Sequence, residues 1–243
     1  MEQRKKATLQ LLPNLLNEHS QHEVFLPASV GKAVSQIEGL IAESDREGRR
    51  YLNRFQIENA NSMPIALYNE HTPDSDIDDL LAPIVNGGRW GLISDCGLPC
   101  IADPGSKVVL RARALGIKVQ PFVGPSSILL ALMQSGLSGQ KFYFHGYLPK
   151  ERDARIKQIQ HMEKGSKAEG RTDIFMETPY RNQHLLEDLV STLDDSTLLA
   201  VGWELTTQDQ GMLSQPVALW KKSPLPNLSK RNAIFLLNCD RTL

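Results

Sequence analysis

Three glutamates in this chain each follow an apolar run of strand-like composition: Glu43 after IEGLIA, Glu70 after MPIALYN and Glu177 after TDIFM. A carboxylate at a strand end can take the proton of a hydroxyl or orient a nucleophile, so these three are the candidate general bases. Each would serve equally well as a cap or as one half of an ion pair. Between the second and the third lies SDCGLPCIADPG, residues 94–105, directly after the apolar run Trp90 to Ile93. In a parallel α/β sheet ligands bind at the carboxyl ends of the strands, which makes Ser94 and Asp95 ligand-facing candidates. Gly97 and Gly105 permit positive φ and close approach of the backbone, while Pro99 and Pro104 stiffen the loop. Asp103, before Pro-Gly, suits the start of the helix that follows. By composition alone, a strand-to-helix turn with an Asp cap accounts for the stretch equally well. Arg181 can clamp a phosphate or carboxylate through paired N–H bonds, or pair with Glu177.

Such groups work only if a scaffold holds them. Short apolar runs rich in β-branched or aromatic residues read as strands: ATLQLLP, IEGLIAES, MPIALYNE, RWGLISD, IKVQPF, KFYFHGYLP, TDIFMETP, TLLAVGWEL, MLSQPVALW and AIFLL. Between them SDIDDLLAPIVNGG, SKVVLRARALG, SSILLALMQSG, ERDARIKQIQHMEKG and RNQHLLEDLVSTL have helical spacing. The alternation predicts an α/β protein. Through residue 121 it is regular, as a mainly parallel sheet with crossover helices requires. The last three strands follow one another with no clear helix between them, which predicts a mixed sheet and a second domain. Gly124 and Pro125 punctuate the join, and the expected domains are residues 1–122 and 123–243. Trp203 and Trp220 fall inside strand readings, and His19 and His22 in what reads as an exposed loop.

The composition is that of a folded soluble protein, with 41% apolar and 23% charged residues. A net charge of -1 advertises no polyanion partner, so any nucleic-acid contact must come from a local patch. Residues 150–171 offer one, with seven Lys or Arg against four Asp or Glu, although a solvated helix face has the same signature. Three cysteines are too few for a disulfide framework, and Cys96 and Cys100, without a second pair, make a poor zinc site, so no metal is expected. The N-terminus MEQRKKATLQLLP carries no cleavage pattern and no run reaches the length of a membrane span, which makes a cytoplasmic location the expectation and a membrane partner none.

SDCGLPCIADPG resembles the SDAGTPGISDPG signature of the tetrapyrrole methylase superfamily, in its branch of small-subunit ribosomal RNA methyltransferases that act on a cytidine ribose 2′-hydroxyl. The resemblance runs in order along the chain. AESDREGRRYL is similar to AEDTR, YNEHTP to NEHN, VGPSSILLALMQSGL to the PGPSA helix, FHGYLP to F-x-GFLP, FMETPYRNQHLLEDL to the F-ESPHR helix start, and WELT to ELTK. It implies two α/β domains with S-adenosylmethionine in the cleft between them, and a homodimer. Carried over residue by residue, Ser94, Asp95, Gly97, Pro99, Ile101, Asp103 and Gly105 would line the cofactor site with Pro125, Ser126, Ser127, Thr178 and Pro179. Arg46 and Arg181 would bind the substrate, the small ribosomal subunit RNA. The chain departs from the pattern at Ser44-Asp45, Leu98 and Val123, and lacks the glycine-bearing turn after the first strand. It also ends without the basic extension of the RNA-methylating members. A tetrapyrrole or other small-molecule acceptor, or a member that binds cofactor without turnover, are the alternatives.

Overall fold

The computed structural model describes residues 7–239, so residues 1–6, where the reading for a leader began, lie outside it. The chain forms two compact units, residues 1–126 and 127–243.

In the first unit, strands β1 (Thr8–Leu11), β2 (Gly39–Ala42), β3 (Ile65–Leu67), β4 (Arg89–Leu92) and β5 (Lys118–Pro121) form one sheet in the order β3-β2-β4-β1-β5. Every pairing in it is parallel. Its helices are α1 (His22–Phe25), α2 (Ala28–Val34), α3 (Asp45–Arg54), α4 (Ile77–Val85) and α5 (Ser106–Ala114). Parallel strands need crossovers, and the helices bury both faces of the sheet. Leu40, Ala42, Val30, Val34 and Leu52 share one core, while Leu9, Ile41, Trp90, Val108 and Ala112 share another. α3 was not anticipated, because its apolar content is little more than Tyr51 and Leu52. Its start is nonetheless encoded, since the Ser44 hydroxyl accepts from the Glu47 N–H at 3.2 Å, as an N-cap does. His22, read as loop, opens α1, with its ring edge-on to Phe55 at 4.9 Å.

The second unit runs α6 (Ser127–Ser135), β6 (Phe142–Tyr147), α7 (Arg152–Glu169), β7 (Thr172–Met176), α8 (Asn182–Thr192), β8 (Leu198–Trp203), β9 (Gly211–Pro216), α9 (Val217–Trp220) and β10 (Ala233–Asn238). Its sheet has the order β6-β7-β10-β8-β9, with β6 and β7 parallel and the remaining pairs antiparallel. This is the mixed sheet the sequence predicts. The strand reading MLSQPVALW is corrected: Pro216 ends β9 and caps α9, where Trp220 is 1% exposed and donates its indole N–H to the Leu199 carbonyl at 2.9 Å. Among the described residues no helix is long and apolar enough to cross a membrane.

Candidate functional site

The loops that leave the first four strands of the parallel sheet converge through hydrogen bonds of the first unit. Ser94, fully buried at the end of β4, donates its hydroxyl to the Asp103 carboxylate at 2.7 Å. Asp103 was expected to cap α5, but the cap position is Gly105 at φ 125, and the Asp103 carboxylate is turned to Ser94 instead. A Cβ at Gly105 would stand 2.9 Å from the Cys100 sulfur, so the turn requires glycine twice over. Cys100 and Ala102 also take positive φ, at 69° and 63°, conformations that cost non-glycine residues energy and that concentrate at ligand sites.

Asn14, which sequence reasoning missed, ties the loop after β1 to the loop after β4. Its amide donates to the carbonyls of Ser94 and Asp95, both at 3.0 Å, and its side-chain oxygen accepts from the Leu15 N–H at 2.8 Å and from Arg54 at 2.6 Å. The backbones interlock as well, Asn14 N–H on the Gly97 carbonyl at 2.7 Å and Gly97 N–H on the Leu15 carbonyl at 3.2 Å. A polar residue directly after an apolar strand, in LLPNLL, was the available signal. Gly124 closes on the same region, for a Cβ there would lie 2.0 Å from Pro13.

Around this frame sit carboxylates, with Arg50 and Arg54 beside Asp95. Glu43, at the end of β2, accepts from the Asp95 N–H at 3.3 Å. Its carboxyl is raised above the ordinary value by loss of water, against the pull of that N–H, and further by Asp95, Asp103 and Glu70. Asp95 is raised by burial, then by Glu47 and Asp103, with Arg50 opposing. Asp103 is raised by burial, against its Ser94 hydrogen bond. Loss of water and Asp103, joined at Cys96 by Asp95, push the thiols of Cys96 and Cys100 up to about 11, which leaves both neutral at physiological pH. Beside Asp95 a crevice of about 40 Å³ is lined by Asn14, Glu18, Glu47, Arg50, Tyr51 and Arg54.

The other expected residues divide. Gly97 and Pro99 are buried in the loop, and Ile101 is 49% exposed on it. Pro125 and Ser126 are half-buried at the end of the first unit. Glu70 lies on the exposed turn after β3 beside His71, and Arg46 on the exposed first turn of α3 beside Glu47. In the second unit Ser127 begins α6, and Thr178 and Pro179 form the turn between β7 and α8. Glu177 there is 5% exposed, and one of its oxygens accepts from the Thr178 N–H at 2.6 Å and from Arg181 at 2.5 Å. Of the two roles open to Arg181, the structure displays the ion pair. Glu177 Oε2, Arg181 Nε and Asn182 Oδ1 are buried without hydrogen-bond partners.

The basic stretch 150–171 is partly spent within the fold. Arg152 and Arg155 bind Asp188 at 2.9 and 2.6 Å, and Arg171 binds Glu169 at 2.6 Å and Asp173 at 3.1 Å. Among the described residues no group of three or more His, Cys, Asp or Glu could hold a metal ion.

Comparison with known proteins accords with this architecture. The profile of the family described as Tetrapyrrole (Corrin/Porphyrin) Methylases matches residues 24–219. Proteins named ribosomal RNA small subunit methyltransferase I are similar along most of the chain. That of Xylella fastidiosa (strain Temecula1) is 32% identical, covering 82% of this chain and 70% of the relative. That of Thermotoga maritima is 29% identical over 82% of this chain and 87% of the relative, and that of Escherichia coli O157:H7 32% over 82% and 71%. The crystal structure of the methyltransferase CobJ shares the fold, with a TM-score of 0.60 at 14% identity, covering 95% of this chain and 92% of that one. Ordered motifs, two α/β sheets and a matched family spanning most of the residues converge, and the chain belongs to the tetrapyrrole methylase family, in the branch of the small-subunit ribosomal RNA methyltransferases, and is a methyltransferase.

Proposed function

We propose that this chain transfers the methyl group of S-adenosylmethionine to a ribose 2′-hydroxyl of small-subunit ribosomal RNA, acting as a homodimer in the cytoplasm. One observation carries the acceptor: relatives 32% identical over 82% of the chain bear the name of that reaction's substrate.

The residues of the first unit fit the methyl donor. Glu43 and Asp103 are half-buried and Asp95 is exposed beside them, and loss of water raises all three carboxyls above the ordinary range, with neighbouring carboxylates adding to the rise at Glu43 and Asp95. A ligand carrying a sulfonium and an ammonium relieves both the desolvation and the repulsion. S-adenosylmethionine, when bound, supplies an electrophilic methyl on that sulfonium. The chain's part is positioning, which accounts for much of the acceleration of such displacements. Ser94 and Asn14 brace the loop from below, and Gly97 and Gly105 bring its backbone within reach of a ligand. Glu43 is the best placed of the three glutamates to take the hydroxyl proton, because its raised pKa brings it nearer the working pH. Glu70 stands exposed, and Glu177 is engaged by Arg181. Ser127, Thr178, Pro179, Arg46 and Arg181 enter this reading only through the resemblance of their motifs.

The test is transfer of a labelled methyl group to small ribosomal subunits lacking the modification. Wild-type protein incorporates close to one methyl per subunit, and Glu43→Gln slows incorporation by about 10²-fold or more. Absence of incorporation by protein that binds S-adenosylmethionine would overturn the acceptor assignment.

A further inference from the structure

One face of the first sheet holds a feature that the methyl-transfer reading leaves unexplained. A central strand of a parallel sheet covered on both faces should be apolar throughout. β1 instead alternates, and Thr8 and Gln10 are 5% and 4% exposed, on the face away from Leu9. Buried polar residues, unlike exposed apolar ones, call for a reason. Gln10 is the sharper case, since its side-chain carbonyl oxygen is buried without a hydrogen-bond partner.

The strand register shows what surrounds it. Arg89 and Lys118 flank Thr8 in the first row, and Gln120 flanks Gln10 in the second. Phe122, whose N–H reaches the Leu11 carbonyl at 3.0 Å, continues the face beyond that. Lys32 and Gln36 descend from the α2 side, with Gln36 accepting from Arg89 at 2.6 Å. Together these residues line a cavity of about 330 Å³ that contains no Asp or Glu in its wall. That volume falls in the range of small-molecule sites. The wall is graded: three cations at the mouth, amides in the middle, an aromatic ring at the far end.

We infer that this cavity binds a phosphorylated ligand of mononucleotide size. Its phosphate sits among Lys32, Arg89 and Lys118, its sugar hydroxyls meet Gln10 and Gln120, and its flat base lies toward Phe122. Cations recognise the phosphate through charge-assisted hydrogen bonds, and a sugar hydroxyl can donate to the orphaned Gln10 carbonyl. The site runs along one face of β1 and β5, from the row of Thr8 to Phe122 just past β5, its lining includes neither Glu43 nor Asp95, and it does not depend on the proposed reaction.

The experiment is calorimetric titration of the full chain with inorganic phosphate, with each of the four nucleoside 5′-monophosphates, and with single-stranded RNA tetranucleotides. At least one monophosphate binds saturably and more tightly than phosphate alone. RNA equal to or weaker than the monophosphate identifies a free nucleotide as the source, and tighter RNA identifies a nucleotide within a chain; either ranking upholds the pocket. Lys32→Glu with Lys118→Glu, both at exposed positions, lowers that affinity at least about tenfold while S-adenosylmethionine titration is unchanged. Gln10→Leu, which replaces an unsatisfied buried amide by an apolar group of similar shape, weakens the nucleotide and raises the melting temperature together. No saturable binding of any monophosphate up to about 10 mM, or binding undiminished in the double lysine variant, overturns the proposal.

Discussion

At the residue scale the site is a balance between bracing and repulsion. Asn14 satisfies two carbonyls, one N–H and one guanidinium, so the loop that follows β4 keeps its shape without a ligand. Glu43, Asp95 and Asp103 are then held where their charges are costly. A carboxyl whose folded-state pKa is raised binds its proton more tightly folded than unfolded. The stability it contributes is therefore present below the ordinary values of 3.8 and 4.5 and is lost as pH rises through the raised value. Glu43→Gln combined with Asp95→Asn removes this loss. The melting temperature of the variant, compared with wild type, should gain steadily as pH is raised from about 4 toward 7. A constant difference across that range would mean that the two carboxyls are not destabilised by folding. Of the glutamates at strand ends, Glu43 follows the interior strand β2 and meets the loop after β4. Glu70 follows the edge strand β3, on a turn exposed to water.

At the element scale, close pairing of strands decides which residues can be changed. Gly39 lies opposite Trp90 in the β2–β4 register, and a Cβ there would approach the indole to 2.4 Å. Gly39→Ala should destabilise the chain by about 1–3 kcal/mol through overpacking, read as a lowered midpoint in urea unfolding with little change in slope. An unchanged midpoint would show that the Trp90 ring has room to move. Elements like these were legible because β-branched and aromatic runs have few other uses, and all ten strand runs contain a strand. Four helices were not: the short α1 and α2, and α3 and α9. α3 is charged over most of its length, so its apolar period is faint, and only the Ser44-x-x-Glu47 start signal marks it. α9 was hidden because the apolar Val217, Leu219 and Trp220 continue the composition of β9, and a single turn is too short to reveal a period.

At the scale of the whole molecule, the chain carries two sheets of different construction, and negative charge gathers at the carboxyl ends of the first. The family was legible in the sequence because its motifs sit at strand ends, where backbone geometry restricts the choice of residue. The role of Asn14 was not, because it is defined by hydrogen bonds to residues about eighty positions away. The cation count of the basic stretch around α7 overstates what it shows to solvent, since Arg155 and Arg171 are largely buried against carboxylates. Central to the proposed function is the claim that the loop after β4 and its carboxylates hold a cationic methyl donor. Calorimetric titration with S-adenosylmethionine near pH 5, in two buffers of different ionisation enthalpy, addresses that claim directly. The account predicts saturable binding with release of protons, as the carboxyls ionise against the ligand, and an affinity at least about tenfold weaker in Asp95→Asn, or roughly 1.4 kcal/mol. Binding without proton release, and with an affinity that neither Asp95→Asn nor Glu43→Gln alters, would contradict it.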